Sequence, residues 1–262
     1  MLRRRIAALA TVIAAVVVFA AAIYVISHHE PVAQAGQTPG FTASPPGIPT
    51  VRVTSSAAAN SSAPASSGNP SAKALHRSEP LVVFLGDDYT LGVGATSKAK
   101  RFSTLIGISL HVRAKTVASS GAGYAKSGTD GKSYGDLVTE VVAGTPSMVV
   151  VSGGRNDTSD DPATLAAQAT TLFATLHAKL PKAKLVAVAP FWGNSPPPAA
   201  LSSVATSVQS AVQAVGGTYL AIPDPLLGHA GFMSDSADPN DDGYAAIANA
   251  VGPALAPLLP KT

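Results

Sequence analysis

The order of apolar and polar positions divides the 262-residue chain into three stretches. Residues 6–26 are apolar throughout except for Thr11, with Arg3, Arg4 and Arg5 on the N-terminal flank. At 1.5 Å rise per residue such a run spans roughly 30 Å, the thickness of a bilayer's hydrocarbon core. The flanking arginines predict an N-terminus inside and the rest of the chain outside. Residues 1–29 therefore read as one N-terminal transmembrane helix, a signal-anchor holding an extracytoplasmic domain at the cell membrane. The alternative is secretion after signal cleavage, because Ala33-Gln34-Ala35 before Gly36 is a small-x-small site. Residues 30–78 show no apolar periodicity and are rich in Pro, Ser, Ala and Gly. A segment of that composition cannot bury enough apolar area to offset its ordering entropy, so a disordered linker is expected.

Residues 79–262 change character. Short β-branched apolar runs at 81–85, 115–118, 148–152, 185–189 and 218–222 alternate with helix-like stretches. The latter lie at 100–111, 134–143, 163–180, 199–215 and 243–258. Continuously apolar strands separated by helices predict a parallel sheet covered on both faces. Right-handed crossovers then give an α/β fold. It is a three-layer α/β/α sandwich with a five-stranded, parallel, doubly wound (flavodoxin-like) sheet. In such sheets sites form just beyond the carboxyl ends of the strands.

Charge enters next, and its position matters more than its sum. The net charge is +3, but six of the 18 Lys and Arg and only one of the 15 acids fall in residues 1–78, leaving the domain at −2. With aromatics at 5%, the domain offers neither the basic footprint nor the stacking platforms of a nucleic-acid binder. The absence of cysteine excludes disulfides, thiolate metal sites and a cysteine nucleophile. Nine of the domain's 14 acids gather in three windows that follow strands: Asp87 and Asp88; Asp157, Asp160 and Asp161; Asp235, Asp238, Asp241 and Asp242. Aspartate favours turns and helix starts, which accounts for some of them. Their concentration on one edge of one sheet still marks a candidate site.

The framing residues are more specific. Gly86-Asp87-Asp88-Tyr89-Thr90-Leu91-Gly92 follows the first strand, and Ala118-Ser119-Ser120-Gly121-Ala122-Gly123-Tyr124 the second. Gly154-Arg155-Asn156-Asp157 follows the third, and Asp235-Ser236-Ala237-Asp238-Pro239-Asn240 lies beyond the fifth. Together, in this order, the four blocks resemble those of the SGNH (GDSL-type) hydrolase superfamily, with a texture similar to that of actinobacterial exported members. The resemblance covers nearly all of 79–262. It implies acyl-ester chemistry in which a serine attacks the carbonyl, a histidine takes its proton and an aspartate orients the histidine. The oxyanion would be held by backbone N–H groups and an asparagine side chain.

Carried over residue by residue, the resemblance places Asp235 in the triad and Asn156 with Gly123 (or Gly121) in the oxyanion hole. The nucleophile position is Asp88 instead of serine, and the base position is Asp238 instead of histidine. A carboxylate repels the charge an oxyanion hole stabilises, and with a reference pKa near 3.9 it is a weak base. Loss of either group typically costs orders of magnitude in rate. The expectation is therefore a catalytically impaired homologue that binds acylated glycan, lipid or cell-envelope ligand. An active ester hydrolase with a non-standard site at Asp88 is the alternative. Asp87, Arg155, Asp157 and Trp192 are ligand-pocket candidates, Trp192 because an indole stacks on a sugar or lines a groove. No cofactor is expected. A divalent cation on Asp88, Asp235 and Asp238 is one way to relieve three close carboxylates, and a retained proton is another. Such a protonated pair would meet the requirement for glycoside cleavage, which nothing else in the chain supports. His229, six residues before Asp235, reads as a surface side chain, and Ser119, Ser120 and Ser152 as turn or capping residues.

Overall fold

The structure is a computed structural model and describes residues 79–260. The anticipated transmembrane helix and linker, residues 1–78, lie outside the described residues. No helix among those described is long and apolar enough to cross a membrane.

Five parallel strands form one sheet: β1 (Leu81–Gly86), β2 (Arg113–Ala118), β3 (Met148–Ser152), β4 (Lys184–Val188) and β5 (Thr218–Leu220). They lie in the order β2-β1-β3-β4-β5, all parallel. That is the doubly wound order anticipated from the alternation. The helices are α1 (Asp88–Leu91), α2 (Phe102–Leu110), α3 (Val138–Val142), α4 (Pro162–Lys179), α5 (Ala200–Ala214) and α6 (Asp241–Leu255).

Side chains alternate across a strand, so the central strands β1, β3 and β4 each feed two cores. Val83 and Leu85 of β1 join Val149, Val151, Leu172, Phe173 and Val208 in a core under α3, α4 and α5. Val82 and Phe84 join Met148, Val150, Phe102, Ile106, Ile247 and Val251 under α2 and α6. Phe84 meets Phe102 edge-to-face at 5.8 Å, the arrangement aromatic quadrupoles prefer. Helix starts carry the polar signals their exposed N–H groups require. Asp161 accepts from the Thr164 amide at 2.9 Å ahead of Pro162, and Asn240 accepts from Gly243 N at 3.0 Å.

The strand registers align the carboxyl ends. Gly86 stands opposite Ala118 on one side and Ser152 on the other, and Ser152 opposite Val188. The chain can leave β1 so close to β3 only because residue 86 is glycine. A Cβ there would lie 2.3 Å from the Ser152 carbonyl oxygen.

Two anticipated elements are shorter than expected. The helix read at 134–143 is regular only from Val138. Tyr134 instead anchors a turn, with its N–H donated to the Gly123 carbonyl at 2.9 Å and its ring fully buried. Ser133, through both its N–H and hydroxyl, bonds Asp136 in a further local turn that delays the helix. The last strand stops at Leu220 because Ile222 N donates back to the Leu220 carbonyl.

Candidate functional site

Four loops leaving the carboxyl edge bring the anticipated blocks together. At the end of β1, Asp87 caps α1 by accepting from Tyr89 N at 3.2 Å. It also accepts from the Asn156 side-chain amide at 3.3 Å, and only 1% of it is exposed. Burial, reinforced by the neighbouring Asp88 charge, pushes its carboxyl up to about 7 against the opposing pull of Arg155. A carboxyl so enclosed is out of reach of a ligand, so Asp87 is corrected from pocket lining to internal support.

Asp88, the first residue of α1, faces the end of β2. Its carboxylate accepts a short hydrogen bond from Ser120 Oγ and a second from Gly121 N at 2.9 Å. The N–H pointing at Asp88 thus belongs to Gly121, not to Gly123. Gly123 donates its N–H to the Lys126 carbonyl at 2.9 Å, so it is turned away from Asp88. Its lack of a side chain serves another end, because a Cβ there would lie 2.4 Å from the Asp157 carboxylate. Asn156 divides its amide between the Ala122 carbonyl at 2.8 Å and Asp87.

Asp157, expected at the pocket, is instead a fastening point. It is 1% exposed and accepts three successive N–H groups, from Tyr124 at 3.0 Å, Ala125 at 2.8 Å and Lys126 at 3.0 Å. Burial raises its carboxyl above the usual range and the three N–H groups oppose that. The side chain holds the irregular segment after β2 in place.

The loop before α6 carries the remaining two aspartates. Asp235 is exposed and spends one oxygen on the N–H groups of Ala237 at 2.7 Å and Asp238 at 2.8 Å, bonds that lower its carboxyl. Asp238 is half-buried. Burial raises it first, then the charges of Asp88 and Asp235, with Arg155 opposing. No three acidic or histidine side chains converge to hold a metal ion among the described residues. The anticipated cation site is therefore not formed. Asp235 is turned into its own loop, and Asp88 is bonded to Ser120 and Gly121. His229 is exposed and stacks on Phe232 at 4.9 Å without a hydrogen bond to any of the three aspartates.

Arg155 ties these loops together. Its Nη1 donates to the Ala237 carbonyl at 2.8 Å, and its guanidinium lies 4.6 Å from the Tyr89 ring centroid and 5.8 Å from that of Trp192. Among the described residues it makes no ion pair with a carboxylate. Tyr89 adds its hydroxyl to the same Ala237 carbonyl at 3.0 Å and to the Trp192 carbonyl at 3.3 Å. Asp224 in turn accepts from Trp192 N at 2.6 Å and Gly193 N at 3.0 Å. Tyr89, Ser120 and Asp224 were not among the anticipated site residues. Asp224 had a signal, since it stands between Pro223 and Pro225 beyond the fifth strand.

Residues 84–246 match the GDSL-like Lipase/Acylhydrolase family. The chain belongs to that family. It is similar to "GDSL lipase Rv0518" of Mycobacterium tuberculosis (strain ATCC 25618 / H37Rv), at 28% identity over 196 residues, 69% of this chain and 83% of that protein. Among solved structures it is similar to a family two carbohydrate esterase from Cellvibrio japonicus, with a TM-score of 0.55 and 20% identity. That match covers 67% of this chain and 60% of the esterase. A family two carbohydrate esterase from Clostridium thermocellum in complex with cellohexaose has a TM-score of 0.55 at 17% identity, covering 68% and 63%. These likenesses show a shared fold, and the chain spans about 60% of the two enzymes' length.

Proposed function

We propose that this GDSL-family domain has lost the serine–histidine ester chemistry of its relatives and acts by binding. The observation that carries the reading is the state of Asp88. Its carboxylate accepts the Ser120 hydroxyl and the Gly121 N–H, so a donor that an ester's developing oxyanion would need is already taken up by a carboxylate. Asn156, the other donor of the resemblance, is committed to Ala122 and Asp87. Asp238 stands at the base position, and none of the histidines described bonds to Asp88 or Asp238. The ligands proposed are those its relatives suggest: acylated glycan, lipid or cell-envelope polymer. In this reading the chain is an actinobacterial exported protein, with residues 1–29 anchoring the domain outside the membrane.

Hydrolysis of short-chain p-nitrophenyl esters tests the reading. The protein and its Asp88→Ala variant are expected to give the same near-background rate. Turnover that vanishes in Asp88→Ala would overturn the proposal in favour of an ester hydrolase that works through Asp88. The double change Asp88→Ser with Asp238→His rebuilds the missing pair and is expected to raise the rate above background.

A further inference from the structure

Asp238, Trp192 and Arg155 form a surface whose charges are only partly matched. The Asp238 carboxylate is half-buried and has no hydrogen-bond partner among the described residues, although its backbone N–H and carbonyl are both engaged. Trp192 is half-buried, its backbone N–H held by Asp224, and its indole makes no hydrogen bond to the described protein. Arg155 has five N–H donors and uses one of them, on Ala237.

Each charged class of ligand meets a penalty here. A cation drawn to the Asp88 and Asp238 carboxylates must sit beside the guanidinium of Arg155, which already lies over Tyr89 and Trp192. Like charge at that spacing opposes it. An anion drawn to Arg155 meets Asp88 and Asp238, both carboxylates and the former fixed by Ser120 and Gly121. An ester carbonyl finds the Gly121 N–H and the Asn156 amide already engaged. A neutral ring bearing hydroxyls meets none of these costs. Its hydroxyls can donate to Asp238 and accept from Arg155, while its apolar face covers the indole.

The geometry points to a neutral, non-acylated saccharide as the ligand of this surface, with Asp238 and Arg155 reading its hydroxyls and Trp192 its ring. This rests on the reading above that the site binds instead of cleaving. It goes further in placing the sugar, not the acyl group, at the site.

Trp192 is the protein's sole tryptophan, so its fluorescence reports the site alone. The full chain, in a detergent without sugar headgroups, is titrated with neutral oligosaccharides of glucose, mannose, galactose, xylose and arabinose. Oligomers of uronic acids and of glucosamine form the charged arms. At least one neutral oligomer is expected to give a saturable change with Kd below about 10 mM, and the charged oligomers to bind about tenfold weaker or worse. Asp238→Ala should weaken the neutral ligand by about tenfold at unchanged Tm. Trp192→Phe, followed by calorimetry, should weaken it as well.

The inference is overturned if no neutral oligomer saturates in that range, if a charged one binds equally well, or if Asp238→Ala binds like the parent. Comparing each oligomer with its acetylated form separates this result from the proposed function. Turnover of the acetylated form that depends on Asp88 defeats the binding reading. Failure of the plain form to bind defeats only the saccharide.

Discussion

Asp87 keeps a proton in the folded protein that it would lose in the unfolded chain. Its folded pKa near 7 stands above the ordinary 3.8. Below about pH 4 both states are protonated and the residue contributes no pH dependence. Between about pH 4 and 7 the unfolded state ionises first, so stability falls as pH rises, by on the order of a few kcal/mol, and levels off above 7. Asp87→Asn keeps an acceptor for Tyr89 N and removes the titration. Denaturant unfolding between pH 4 and 8 should therefore show a flatter profile for this variant. A profile as steep as the parent's would assign the slope elsewhere. Asp157 matters through its hydrogen bonds, because its carboxylate satisfies three N–H groups. Asp157→Ala leaves those donors without a partner and is expected to cost about 2–4 kcal/mol in chemical denaturation, with Asp157→Asn costing less.

At the level of elements, what the chain's pattern foretold depended on how local the determinant was. All five strands and the long helices were legible from the alternation of short apolar runs with helix-like stretches. The segment between β2 and α3 was not. Its conformation is set by Asp157, more than 30 residues away, and by the burial of Tyr124 and Tyr134. The same non-local cause misled the reading of the site. An acid in a site window suggests chemistry, and only the fold reveals that Asp157 faces three amides and that Gly121, not Gly123, faces Asp88. Capping makes a prediction at this scale. Asp161→Ala removes the side-chain acceptor at the start of α4 and should destabilise the protein by about 1 kcal/mol, read as a shift of the denaturant midpoint without a change in slope.

For the molecule as a whole, two cores share one sheet, because β1, β3 and β4 contribute residues to both. Neither can be lost while the other keeps its strands. Calorimetry should accordingly show one transition for this domain. Phe84→Ala in one core and Phe173→Ala in the other should each lower that same transition, at about 3–5 kcal/mol. Two resolved transitions, each sensitive to one of the variants, would contradict the shared sheet.

A sheet with only parallel neighbours also dictates timing. Every strand pairing spans a crossover, so loops must close before any pairing is rewarded, and such topologies fold slowly. Asp88, Ser120, Arg155, Trp192 and Asp238 each follow a different strand, so no partial assembly of the sheet contains the site. In refolding, helical ellipticity should recover first and the emission of Trp192 last, making the indole a clock for the closing step of folding.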